Sequence, residues 1–354
     1  MINRKGVFYI MKKLIASMLT LLLLMSVAAC APAKSPDADP AETAPAQQTT
    51  TDQEASATAE PVVVSDGALR IAALKGPTGM GIVALLGNEY ATQYEITLAS
   101  SPDEVTAAFI AGSLDLAAVP INLAAVLYSK LNGDVAILAV NTLGVLYILE
   151  NGDSIKSIAD LSGKTLGATG QGSTPEYVLN YLLEKNNITD ANVEYYSEHS
   201  ELATLLAAGD VNFGMLPEPN VTATMAQNAD LRVVLDLTEE WSKVSDTQLV
   251  QGCIILRKSA VEGKEAKIAQ FLTDYEASTA FVNGHQKKAS LLIEQHGIMA
   301  KAVLAEQAIP KSNIVCITGT NMKDAASGMI EVLFNANPKS VGGALPGDDF
   351  YYGQ

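Results

Sequence analysis

From residue 68 to residue 257 the chain repeats one unit: a short β-prone run, a break marked by Gly or Pro, and a helix start. Ala68 to Lys75, ALRIAALK, is the first run. Gly76-Pro77-Thr78-Gly79-Met80-Gly81 breaks it, before an apolar-faced helix expected to reach about Tyr90. Tyr94 to Ala99 alternates like a strand, and Ser101-Pro102-Asp103-Glu104 opens a helix with acids in its first turn. Leu114 to Val119 reads as a buried strand, Pro120-Ile121-Asn122 opens another helix, and strands are expected over 135–142 and 145–150. After the turn-rich Asn151-Gly152-Asp153-Ser154 the pattern restarts. Strands are expected at 164–168, 193–196, 211–216 and 231–235, with helices at 174–185, at 200–208 and up to about 227. Strands and helices alternating through short connections build an α/β layered sheet.

Residues 236–249 show little apolar periodicity and read as a second crossing; they contain the single tryptophan, Trp241. Val250 to Arg257 is a strand of the buried type, and mostly helices follow, at 265–283, 287–296, 301–308 and 322–334. The expected organisation is two lobes, 67–150 plus 250–354 and 151–249. Domain interfaces are preferred sites for small ligands, so the cleft between lobes is the place to look.

The N-terminus carries a different signal. Lys12 and Lys13 precede an apolar run from Leu14 to Val27, then Val27-Ala28-Ala29-Cys30. A basic start, an apolar stretch and small residues before a cleavage point make a secretory signal over 1–29. Small residues directly before a cysteine resemble the lipobox of bacterial lipoproteins, which implies cleavage before Cys30, a lipid on its sulfur and a membrane anchor outside the cytoplasm. Met11 looks like the natural start. Residues 31–66 hold mostly Ala, Pro, Thr, Gln, Ser, Asp and Glu with no aromatic residue, and read as a disordered tether. The formal net charge of −16 leaves no basic face for phosphates, which argues against a nucleic-acid partner. Cys253 and Cys316 each lie in an apolar, strand-like run; they are either buried free thiols or a disulfide pair.

In open α/β sheets ligands bind beyond the carboxyl ends of strands. Three loops in the first lobe qualify: Lys75 to Met80, Pro120 to Leu123, and Asn141 to Gly144. Lys75 stands where the first strand ends, either to meet an anion or as a solvated surface lysine. GPTGMG is no P-loop, because no Gly-Lys-Ser/Thr follows, and its glycines do not match the dinucleotide fingerprint. In the second lobe, Asp160 to Glu176 (DLSGKTLGATGQGSTPE) reads as turn, strand, Gly-rich loop and helix start. Ser173 or Thr174 is placed to cap that helix, Pro175 fits its first turn, and Glu176 suits its positive end. Such a junction aims backbone N–H groups at a ligand.

Several pieces then coincide: DLSGKTLG (160–167), GSTPE (172–176), Glu201-Leu202 with AAGDVN (207–212), PEP (217–219), and AFIAGSLDLAAVP (108–120) upstream. In this order and spacing they resemble the nitrate/sulfonate/taurine-type substrate-binding proteins of bacterial ABC importers, a group that includes binders of thiamine pyrimidine precursors. The resemblance covers roughly 68–335. It implies a two-lobe, hinged periplasmic-binding-protein fold of type II, a monomer without cofactor or metal, and an ABC permease with its ATPase as partner. By position the ligand loops fall on Gly76, Pro77, Thr78, Gly79, Met80, Pro120, Ile121, Asn122, Thr142, Gln171, Gly172, Ser173, Thr174 and Glu218, and Lys75 is the one cation near them. No arginine or histidine stands at these loops, and Glu218 would repel a dianion but accept from an amine. A ligand with donor groups, or a zwitterion, is therefore favoured.

Two other readings compete. Some relatives of this fold are enzymes, such as chorismate dehydratase and a pyrimidine synthase. The histidines here, His199, His285 and His296, form no metal or triad spacing, and no Gly-x-Ser-x-Gly elbow occurs. A ligand-sensing receptor would use the same closure as an importer component. For Glu218 the alternative is a surface turn between prolines, and for Trp241 packing at the crossover is favoured over ligand stacking.

Overall fold

The computed structural model describes residues 67–353. The expected signal, Cys30 and the tether lie outside the described residues, and no described helix is long and apolar enough to cross a membrane.

Among the described residues eleven strands, numbered in chain order, form two sheets. The first contains β1 (Leu69–Leu74), β2 (Tyr94–Ala99), β3 (Leu116–Pro120), β4 (Val135–Leu143), β10 (Val250–Arg257) and β11 (Ile314–Ile317), in the order β11-β4-β10-β3-β1-β2. The second contains β5 (Leu146–Asn151), β6 (Thr165–Thr169), β7 (Asn192–Tyr196), β8 (Phe213–Pro217) and β9 (Leu231–Asp236), in the order β7-β6-β8-β5-β9. β1, β2 and β3 run parallel, as do β6, β7 and β8. The other pairings are antiparallel: β10 lies between β3 and β4, and β5 lies between β8 and β9. Strand β5, placed by the sequence before the turn at Asn151, belongs to the second sheet. The chain thus passes from sheet to sheet between Leu143 and Leu146, and back between Asp236 and Val250.

The helix expected to run to Tyr90 is broken. Only Pro77–Gly81 is α-helical, followed by single turns at Val83–Leu86 and Asn88–Tyr90. Gly81 stands at the break, against the Tyr275 hydroxyl, which would lie 2.7 Å from a Cβ there. The second crossing holds a short helix, Leu237–Ser242, capped by the Asp236 carboxylate, which accepts from Thr238 N at 2.8 Å. Trp241 on it is 1% exposed, packs at a 34° tilt with its ring centroid 4.6 Å from that of Tyr181, and donates from Nε1 to Thr247 O at 2.8 Å. That is the packing role expected of it.

One apolar core runs through both sheets, with Val119, Val140 and Ile255 from the first in the same cluster as Ile148, Ala168 and Met215 from the second. Each fully buried aliphatic side chain of this kind contributes about 1.5–3 kcal/mol. Cys253 is buried and Cys316 half-buried, and both are free thiols with β4 between their strands.

Candidate functional site

At one end of the first sheet, β1 runs out into Lys75-Gly76 and β3 into Pro120-Ile121-Asn122, which starts the helix Ile121–Lys130. Gly252 on β10 pairs with Pro120 on one side and with Thr142 on the other, so the last residues of β3 and β4 form one row with it. In the second sheet, β6 ends at Thr169 before Gly170 to Ser173, and β8 ends at Pro217 before Glu218. Parallel strands bring their carboxyl ends to the same side, which is why loops so distant in sequence meet.

Two contacts tie the rows together. Gly76 has φ +114°, a conformation that a side chain strains, and a Cβ there would lie 3.9 Å from Pro219 Cδ. Thr174 starts the helix Thr174–Lys185, and its Oγ1 donates to Asn122 Oδ1 at 3.1 Å; both residues are buried.

Glu218 is 1% exposed and is joined to Pro219 by a cis peptide bond. Its backbone N–H donates to Val145 O at 2.9 Å, which docks the loop on the first crossing. Its carboxylate accepts from Thr222 Oγ1 at 2.9 Å and from Thr222 N at 3.2 Å. Loss of hydration pushes the Glu218 carboxyl above its ordinary value; the Thr222 bonds and the Lys311 charge pull back against this without cancelling it. The surface-turn alternative for Glu218 is thereby excluded.

The other expected residues are placed as follows. Met80 and Ile121 are fully buried, and their side chains belong to the apolar core. A Cβ on Gly79 would lie 2.8 Å from Leu74 O, so the glycine allows the close turn. Thr78 Oγ1 donates to Leu74 O at 2.7 Å. Pro77 is half-buried, and Lys75, Gln171 and Gly172 are exposed. Ser173 stands at the helix N-cap, yet its hydroxyl does not cap: it donates to Gly170 O at 2.9 Å. Thr174 does not cap either, since its hydroxyl faces Asn122. The Gly172 N–H is taken by the Glu176 carboxylate, so this loop offers a ligand fewer bare amides than the sequence implies.

The fold also brings four further polar residues to these strand ends; the sequence marks Asn141 only as the start of a candidate loop and His199 only as a histidine without metal spacing, and does not single out Thr169 or Gln251. Thr169 Oγ1 lies 2.7 Å from His199 Nδ1, and desolvation lowers the His199 pKa, which keeps the ring neutral at pH 7. Asn141, within a strand otherwise apolar up to that point, is 0% exposed. Gln251 precedes Gly252 on the neighbouring β10 and is 9% exposed. The available signal was a buried-type strand interrupted by an amide. A hollow of about 540 Å³ lies away from all of these residues, between 83–90 and the later helices.

The model of the periplasmic phosphonate-binding proteins of ABC transporters matches residues 81–305. Among solved structures, an ABC transporter protein from Parabacteroides distasonis is similar at 25% identity and TM-score 0.69, over 81% of this chain and 99% of that one. The periplasmic aliphatic sulphonate binding protein SsuA from Escherichia coli is similar at 18% identity and TM-score 0.64, over 82% and 100%. An enzyme shares the fold as well: the desulfurization enzyme DSZB, at 12% identity and TM-score 0.59, over 81% and 96%. No curated protein matches the sequence. The two-sheet α/β architecture is that of the periplasmic binding proteins.

Proposed function

The chain belongs to the periplasmic substrate-binding family of phosphonate-type ABC transporters, and from that membership together with the lipobox-like run before Cys30 we propose that it is an extracytoplasmic lipoprotein. Anchored through Cys30, it captures a small polar solute between its two sheets and delivers it to an ABC permease and its ATPase. The observation that carries the siting is the meeting of Gly76 with Pro219 and of Asn122 with Thr174, which gathers four strand-end loops from two sheets. Closure of such loops on a ligand is the state a permease can distinguish from the empty one.

The site's electrostatics narrow the solute within the sulfonate, taurine, nitrate and pyrimidine classes. A buried carboxylate opposes a doubly charged oxyanion, and Lys75 is solvent-exposed. A zwitterion or a donor-bearing organic solute matches Glu218 better than phosphonate or sulfonate alone. The test is a thermal-shift screen of the full chain with taurine, alkanesulfonates, methylphosphonate, nitrate, aminopyrimidines and amino acids. A micromolar ligand at millimolar concentration stabilises by about 4 kcal/mol. Affinity unchanged in Glu218→Ala would remove the role given to Glu218, and turnover of a bound compound would replace the receptor by an enzyme.

A further inference from the structure

Strand β4 and strand β10 are out of step at the site. Val250 pairs with Leu143, Gly252 with Thr142 and Cys253 with Val140. The register therefore skips Gln251 on β10, and one step further on it skips Asn141 on β4. These are two bulges back to back around the Gly252–Thr142 pair. Bulges re-aim side chains and are frequent beside binding sites. Here the skipped residues are both carboxamides. Asn141 is 0% exposed and neither Oδ1 nor Nδ2 has a partner; Gln251 Nε2 and Thr142 Oγ1 are likewise buried without one.

A buried polar group left unpaired costs about 1–3 kcal/mol, and native structures carry few of them. Four such atoms on three neighbouring residues call for a partner that the protein does not supply. Gly252 fits the same picture: a Cβ there would lie 2.7 Å from Asn141 Oδ1, so a side chain would crowd the amide. Gly252 also pairs with Pro120, which puts this trio against a ligand loop rather than in the remote core.

We infer that Asn141, Thr142 and Gln251 form the floor of the solute site and select a ligand presenting a planar, uncharged N–H/C=O edge, as a carboxamide or lactam does. The inference rests on the solute-binding reading above. Asn141 offers a donor and an acceptor side by side, so its complement is a group that accepts and donates side by side. A sulfonate or a phosphonate dianion has no hydrogen to give Oδ1, and would leave that atom unpaired.

The experiment uses the full-length protein, wild type and the Asn141→Leu and Gln251→Leu variants. Melting is measured without ligand, and binding is titrated with nicotinamide and L-glutamine as amide probes against taurine, butanesulfonate and methylphosphonate. The expected result has two parts. An amide probe binds the wild type and loses at least about tenfold in affinity in both variants, since each loses a buried hydrogen-bonding group. The ligand-free variants melt at or above the wild-type temperature, because leucine removes unpaired groups. A lower ligand-free melting temperature in both variants would make the trio a structural network and overturn the inference. Binding confined to taurine, butanesulfonate or methylphosphonate, unchanged in both variants, would overturn it while leaving the receptor reading intact. No response of the wild type to any probe would remove both.

Discussion

The Glu218 carboxylate exchanges water for one hydroxyl and one backbone N–H, both from Thr222. Its folded pKa therefore lies above the ordinary 4.5. Below that value the group is neutral in both folded and unfolded chains and costs nothing. As pH rises through the folded pKa, the charge must form in a dry site and stability falls. Glu218→Gln is expected to melt higher than wild type at pH 8, with the gap closing by pH 4.5; a pH series of melting curves checks it. An advantage that grows as pH falls would reverse the sign argued here. Asp115 is the opposite case. It is buried, but Arg70 binds it bidentately, Nε at 3.1 Å and Nη2 at 3.0 Å, and Lys264 adds a bond at 3.2 Å. Although desolvation is the largest influence and raises its pKa, these bonds together hold the carboxyl below 3.8. Arg70→Ala strips the larger share of that compensation and is expected to cost about 3 kcal/mol, measurable by urea unfolding. The two carboxylates differ in how far they can be read from sequence. Glu218 is flanked by prolines at a strand end and can be singled out. The orphaned state of Asn141 depends on a register shift between strands more than a hundred residues apart, which no local pattern encodes.

At the scale of elements, periodicity places the helix Thr174–Lys185 and the strand Val250–Arg257 within the residues observed. Both are governed by their own apolar faces. It fails where a neighbour decides. The helix expected to reach Tyr90 stops after Gly81, which packs against Tyr275 of the helix Glu265–Gly284. Strand β11 shows in the sequence only as an apolar run around Cys316, and it exists because the edge of β4 is there to pair with. The first crossing makes the same point through Gly144. A Cβ there would fall 2.1 Å from Thr238 Oγ1 and 2.9 Å from Leu249 Cδ2, both on the returning segment. Since both crossings are in contact, Gly144→Ala cannot relax by moving one alone. It is expected to destabilise by about 1–3 kcal/mol through overpacking, and an unchanged urea midpoint would contradict the contact.

For the whole molecule, hydrogen bonds among the described residues also join the two halves away from the crossings. Among them are Thr174 Oγ1 to Asn122 Oδ1 at 3.1 Å and Tyr147 Oη to Lys311 O at 3.0 Å. Each contributes about 0.5–1.5 kcal/mol, enough to bias an open–closed equilibrium by roughly two- to tenfold. The double variant Thr174→Val, Tyr147→Phe is expected to show a larger radius of gyration by X-ray scattering without ligand, and to weaken binding of any hit from the screen. The proposed ligand loops were legible as strand ends; their convergence was not, because it depends on where two crossings set one sheet against the other. Trp241 gives that geometry an optical handle. It is the chain's single indole, it sits on the returning segment, and its N–H is held by the Thr247 carbonyl, while the Thr247 methyl would lie 2.8 Å from a Cβ at Gly328 on the helix Gly319–Ala336. Emission excited at the red edge of absorption therefore comes from one chromophore on the returning crossing, and a shift in its wavelength or lifetime on adding solute would time the proposed closure in solution without any attached dye.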